Sequence, residues 1–111
     1  MVNEWQERLK ALVRSTGVFR KANPAVARAF HDLELATREG DVLDAKTHEL
    51  ISLAVAVTTR CDGCITAHAG AAKNVGASEQ EIAAALGTAI ALNAGAAYVY
   101  SSRALEAYQS L

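Results

Sequence analysis

Apolar residues recur along the chain at helical intervals, and short polar signals stop one cluster and start the next. Trp5, Leu9, Leu12 and Val13 repeat three and four residues apart, which predicts a first helix over residues 2–15, ended by Gly17. Asn23 is suited to cap a second helix, with Pro24 at its first position. Val26, Ala29, Phe30 and Leu33 would form its apolar face, extended by Ala36 and Thr37, and Gly40 would stop it. Asp44 then reads as the N-cap of a third helix.

Between Ser52 and Thr59 the period turns ambiguous, because the residues alternate in part and fit a strand as well. Length decides for a buried helix, since about 15 residues pass without a breaker; such a helix would be apolar nearly all round. Its small or polar stripe of Ala45, Glu49, Ser52 and Ala56 leads towards the cysteines. A fourth helix is expected from the cysteine pair to about Asn74, with Gly76 just past its end. Ser78-Glu-Gln-Glu81 forms a capping box ahead of a fifth helix carrying Ile82, Ala85, Leu86, Ala89 and Ile90. Asn93-Ala-Gly95 is expected to kink or break the chain before a last helix over 96–109, where Tyr98, Leu105 and Tyr108 are the larger groups.

Composition agrees with this pattern. The chain has 24 alanines against seven glycines and one proline, and alanine has the highest helix propensity. An all-α fold is expected: at 111 residues, a single-domain antiparallel helical bundle of about six helices. A net charge of −1 without a basic run argues against nucleic acid as the main partner. The charged N-terminus carries no apolar signal core, and no unbroken apolar run reaches the roughly 18 residues of a membrane span. The expectation is a cytoplasmic protein with no membrane partner.

The chemistry concentrates at Cys61 and Cys64, the only two cysteines, in a C-x-x-C pair with His68 four residues after the second. In a reducing compartment a permanent disulfide is not expected, so the pair reads as catalytic, redox-sensing or metal-binding. Cysteines three apart at a helix start lie on one face and can open and close a disulfide with little movement. The helix N-terminus stabilises a thiolate there. His68 lies one turn beyond Cys64 and can take its proton, and Glu49 can hold the imidazole in one tautomer. Along a straight helix Glu49 is about 18 Å from Cys61. It reaches the site only if the chain reverses near Arg60 and the next helix packs back antiparallel; even then Glu49 lies about a turn beyond the level of His68, and a steep crossing angle or a bridging water would have to close the gap.

Other readings of these residues remain. Two nearby cysteines are compatible with plain buried packing, and Glu49 with a solvated first-turn carboxylate. Zinc would find three ligands in C-x2-C-x3-H and need a fourth from His48 or Glu49. Covalent c-type haem is excluded by Ile65 directly after the second cysteine. No cofactor is called for, and His31 and His48 read as surface residues.

Glu49, eleven residues, Cys61-x-x-Cys64, three residues and His68 together resemble the signature of the alkylhydroperoxidase D family, within the carboxymuconolactone decarboxylase-like superfamily. The likeness extends over residues 20–110 and includes Gly76-Ala-Ser-x-x-Glu-Ile82. It implies thiol-dependent reduction of small hydroperoxides, with Cys64 attacking the peroxide and Cys61, nearer the surface, resolving the sulfenic acid to a disulfide. Glu49 and His68 would be the proton relay, and an external dithiol or disulfide reductase the electron donor. It further implies a homohexamer, a trimer of dimers. Gly63 departs from the alkylhydroperoxidase pattern, which has histidine immediately before the second cysteine.

Overall fold

Polar side chains at the helix ends set most of the boundaries. A computed structural model describes residues 3–111, and in it five α-helices succeed one another: α1 (Glu4–Ala22), α2 (Pro24–Ala36), α3 (Ala45–Thr59), α4 (Asp62–Asn74) and α5 (Glu79–Ser110). A single 3-10 turn, Glu39–Asp41, lies between α2 and α3, and no strand occurs among the described residues. The fold is all-α, as expected, with five helices where about six were anticipated.

Two glycines account for the differences. Asn3 caps α1 by accepting the Gln6 amide at 2.8 Å, and the expected start at residue 2 lies outside the described residues. The stop expected at Gly17 does not occur. α1 continues to Asn23, whose amide donates to the Phe19 carbonyl at 2.8 Å while its side chain accepts the Val26 amide at 3.2 Å. One residue thereby closes α1 and opens α2. An interior glycine costs a helix only about 1 kcal/mol relative to alanine, so Gly17 alone does not end it. In α5 the same holds for Asn93-Ala-Gly95. The Asn93 amide group donates to the Ala89 carbonyl at 2.7 Å and to the Thr58 hydroxyl of α3 at 2.9 Å, and the helix runs on unbroken.

The segment that fitted a strand is helical throughout. Its buried positions, Glu49, Leu53 and Ala56, obey the helical period and not alternation. Asp44 caps this helix by accepting the Thr47 amide at 2.7 Å. At its other end Arg60 adopts a left-handed conformation (φ 55°, ψ 48°). The Arg60 amide donates to the Val57 carbonyl and the Cys61 amide to the Ala56 carbonyl, at 3.3 and 3.1 Å. These are the two bonds of a Schellman closure, and they turn the chain back so that α4 packs against α3. Gly76 (φ 79°) closes α4 in the same way, and the Ser78–Glu81 capping box opens α5.

In space α3 lies between α4 and α5, and α1 lies between α4 and α2. The buried apolar side chains are few and small, Leu53, Ala56, Ala72 and Ala89, with Glu49 and Thr66 the buried polar ones. Phe30, Leu33, Tyr98, Leu105 and Tyr108 are all exposed. The chain's accessible surface is 8777 Å², against about 5,900 Å² for a closed monomer of its mass. Its radius of gyration is 18.1 Å, where about 13 Å is usual for this length. The second half of α5 is exposed along nearly its whole length among the described residues. By length and composition α5 is the one described helix apolar enough to cross a membrane, although Thr88, Asn93 and Gly95 interrupt its run.

Candidate functional site

The Schellman turn at Arg60 delivers Cys61 to the N-cap of α4, where its sulfur accepts the Cys64 amide at 3.2 Å. Both cysteines are free thiols. Hydrogen bonding from the Cys64 thiol, then from the Cys64 and Gly63 amides, draws the Cys61 thiol below its ordinary range against desolvation and the Asp62 charge. Cys64 moves the other way: its bond to Cys61, its burial and the neighbouring Cys61 charge all push it up. The thiol that is lowered is therefore Cys61, where the lowering had been expected at Cys64. Exposure is also the reverse of the expectation, since in the single chain Cys61 is half-buried and Cys64 exposed.

α1 lies on the two residues between the cysteines. Arg8, held by Glu4 at 2.7 Å and stacked 5.2 Å from the Trp5 ring, reaches Asp62 at 3.2 Å. A Cβ at Gly63 would stand 3.2 Å from the end of the Leu12 side chain. At the position where the alkylhydroperoxidase pattern has a histidine, this chain therefore brings up α1. The Arg8–Asp62 pair is exposed and screened by solvent, so its consequence is placement and not stability.

Glu49 and His68, expected from sequence to act together, are in direct contact. Glu49 comes from the first turns of α3, is 1% exposed, and meets the His68 ring of α4 with Oε2 at 2.7 Å from Nδ1. The turn at Arg60 and the packing of α4 on α3 close the separation without an intermediary. Oε1 of the same carboxylate accepts from the Arg38 guanidinium at 3.0 Å. Burial pushes the Glu49 carboxyl up, but the hydrogen bonds from His68 and Arg38 and their charges outweigh it, so it lies below the usual carboxylate range. With Nδ1 committed to Glu49, Nε2 is the atom of His68 left for proton exchange, one helical turn from Cys64 on the same face.

Arg38 was not singled out from the sequence. It stands in the connection between α2 and α3, just before Gly40 (φ 77°) and Asp41 (φ 48°). Its only sequence signal is general: a carboxylate placed in an apolar helix needs a charged or donor partner from somewhere else. His31 is exposed as expected, whereas His48 is half-buried. Both Glu49 oxygens are engaged, so Glu49 is not free to serve as a fourth zinc ligand. A concavity of about 840 Å³ lies elsewhere, between α1 and α2, and is lined by Phe19, Val26 and Phe30.

Comparison with known proteins gives a consistent result. The model of the carboxymuconolactone decarboxylase family matches residues 24–107. An uncharacterized protein of Haemophilus influenzae is 59% identical over 108 residues, covering 97% of this chain and 96% of its own. One from Cupriavidus necator is 31% identical over 111 residues, 100% of this chain and 98% of its own. Among solved structures, the apo form of a carboxymuconolactone decarboxylase family protein from Legionella pneumophila superposes with a TM-score of 0.77 at 31% identity, over 98% of this chain and 97% of that one.

Proposed function

The chain belongs to the carboxymuconolactone decarboxylase family, and we propose that it acts there as a thiol-dependent oxidoreductase that reduces hydroperoxides. The observation that carries this reading is the 2.7 Å bond between His68 and the buried Glu49, which couples the C-x-x-C helix to a carboxylate whose charge is held. A cysteine pair kept for packing has no use for such a relay.

In the proposed cycle Cys64, exposed and one turn from His68, attacks the terminal oxygen of the peroxide as its proton passes to Nε2. The O–O bond breaks, the alkoxide leaves and takes up a proton as the alcohol, and Cys64 becomes a sulfenic acid. Cys61, as the thiolate that the Cys64 and Gly63 amides favour at the helix start, then attacks the Cys64 sulfur and expels hydroxide, which takes up a proton and leaves as water. Two electrons pass from the dithiol to the peroxide, and the product is the Cys61–Cys64 disulfide. An external dithiol restores both thiols by exchange and is itself oxidised to a disulfide. We place the reaction in the cytoplasm, where such a pair is returned to the reduced state between turnovers.

The test is a steady-state assay with a hydroperoxide and dihydrolipoamide. Turnover is expected in the wild type and at least about a hundredfold less in Cys64→Ser, the scale of losing a positioned nucleophile. A single stoichiometric oxidation without turnover would sink the enzyme reading and leave a redox sensor, whose disulfide only changes shape.

A further inference from the structure

A carboxylate withdrawn from water needs partners for both oxygens. Glu49 receives them from opposite sides of the chain: His68 at Oε2, on the helix that carries the cysteines, and Arg38 at Oε1, from the connection between α2 and α3. We propose that Arg38 is a positioning residue of the dithiol site, which anchors one oxygen of the buried Glu49 and thereby presents the other to the His68 ring. The inference rests on the reading of His68 as the proton acceptor for Cys64.

The backbone around Arg38 holds it for this purpose. The Arg38 amide donates to the Leu35 carbonyl at 3.0 Å, and its carbonyl accepts the Asp41 amide at 3.3 Å. That turn uses two consecutive left-handed residues, Gly40 and Asp41, of which the second has no intrinsic preference comparable to glycine's. The Arg38 side chain is 45% exposed and the carboxylate it meets 2%. The guanidinium thus reaches inward from solvent to a charge that no water covers. An arginine cannot be neutralised at any ordinary pH, so Oε1 keeps its partner whatever the His68 ring carries.

Among the described residues, only Arg38 and His68 bond the Glu49 carboxylate. Of the charged residues on the helices packed against α3, Asp62 of α4 is paired with Arg8, and Glu81 of α5 with Lys46 on the first turn of α3 itself. Lys73 stands in the last turn of α4 and Glu79 in the first turn of α5, while Arg103 and Glu106 lie in the exposed second half of α5. On α3 the remaining titratable neighbour is His48, with Asp44 committed to the cap. Removing Arg38 therefore leaves Glu49 buried with His68 alone.

Two variants separate the charge from the bond: Arg38→Gln keeps a donor without the charge, and Arg38→Lys keeps the charge. The Glu49 carboxyl is monitored by carbon NMR through a pH titration of the reduced protein, and the acid limb of hydroperoxide turnover is measured alongside. Arg38→Gln is expected to raise the Glu49 midpoint by about one pH unit or more and to move the acid limb up with it. Arg38→Lys is expected to recover most of both. An unchanged Glu49 midpoint in folded Arg38→Gln would overturn the proposal. If the wild type shows no turnover, the functional reading fails while the carboxyl titration still decides for or against Arg38. Should Arg38→Gln not fold, the double variant Glu49→Gln/Arg38→Gln, which buries no charge, is expected to fold. If it also fails, Arg38 serves the fold and not the carboxylate, and the proposal falls.

Discussion

At the scale of single residues, the two thiols are told apart by where α4 begins. Cys61 is the N-cap and Cys64 stands three residues on, so the amide that a cap side chain normally satisfies is the Cys64 amide, and the acceptor is sulfur. Charge is favoured on the acceptor and disfavoured on the thiol that donates to it. In the reduced protein, alkylation read by peptide mass should therefore label Cys61 first, with a midpoint below the ordinary thiol value of about 8.5. Because the Cys64 side chain is the largest cause, Cys64→Ala should raise that midpoint. An identical Cys61 midpoint in the variant would count against the assignment. Of this site, C-x-x-C and His68 were legible because their chemistry depends on spacing within one helix. Glu49 was legible as a candidate through its interval to Cys61, though its reach to His68 awaited the turn at Arg60. The division of labour between the thiols was not, since moving the helix start by one residue reassigns the cap. Arg38 was invisible for a different reason: its partner is eleven residues away across a turn of left-handed residues, and nothing local in its neighbours announces a buried contact.

At the scale of elements, the informative comparison is between the glycine that ends a helix and those that do not. Gly76 takes a positive φ and closes α4, whereas Gly17 and Gly95 sit inside α1 and α5. Gly40, expected to stop α2, lies in the 3-10 turn beyond it, and α2 already ends at Ala36 with Thr37 as its cap. The residues downstream of each glycine make the difference. After Gly76 come Ala77 and the Ser78 cap of the next helix, so the chain gains by stopping there. After Gly17 come Val-Phe-Arg-Lys, all able to continue a helix, and the first strong terminator is Asn23. Reading caps from sequence was reliable because a cap is a local hydrogen bond: Asn23, Asp44 and the Ser78–Glu81 box are all observed. Reading glycine alone as a stop was not, because its cost of about 1 kcal/mol is smaller than what the next helical turn returns. Gly17→Ala makes this measurable. A Cβ at Gly17 meets nothing within 4 Å, so the substitution should stabilise the protein by about 0.5–1 kcal/mol in a denaturant titration. Loss of stability would mean that the helix ends at Gly17 after all.

At the scale of the whole molecule, the surface left exposed becomes an argument about assembly. The excess over a closed monomer is about 2,900 Å² per chain, several times the roughly 800 Å² that one partner contributes to a standard interface. A single dimer contact of ordinary size would leave most of it open, which argues for more than one neighbour per chain. The trimer of dimers that the family resemblance implies would provide that, and it is the assembly we propose. The apolar face of α2 with Phe30 and Leu33, the groove beside it, and the free half of α5 with Tyr98, Leu105 and Tyr108 are the surfaces available to second copies. Among the described residues the fully buried apolar core is small, Leu53, Ala56, Ala72 and Ala89, so folding and assembly should be coupled, with the melting temperature rising with protein concentration. Light scattering after gel filtration, without detergent, is expected to give the mass of six 11.7 kDa chains. Tyr98→Glu combined with Tyr108→Glu, which places charge on the free half of α5 far from Cys61 and Cys64 in sequence, should yield smaller species or unfolded chain. A stable monomer at micromolar concentration would overturn the assembly, and a requirement for lipid vesicles to keep the chain dispersed would assign the apolar face of α5 to a membrane instead.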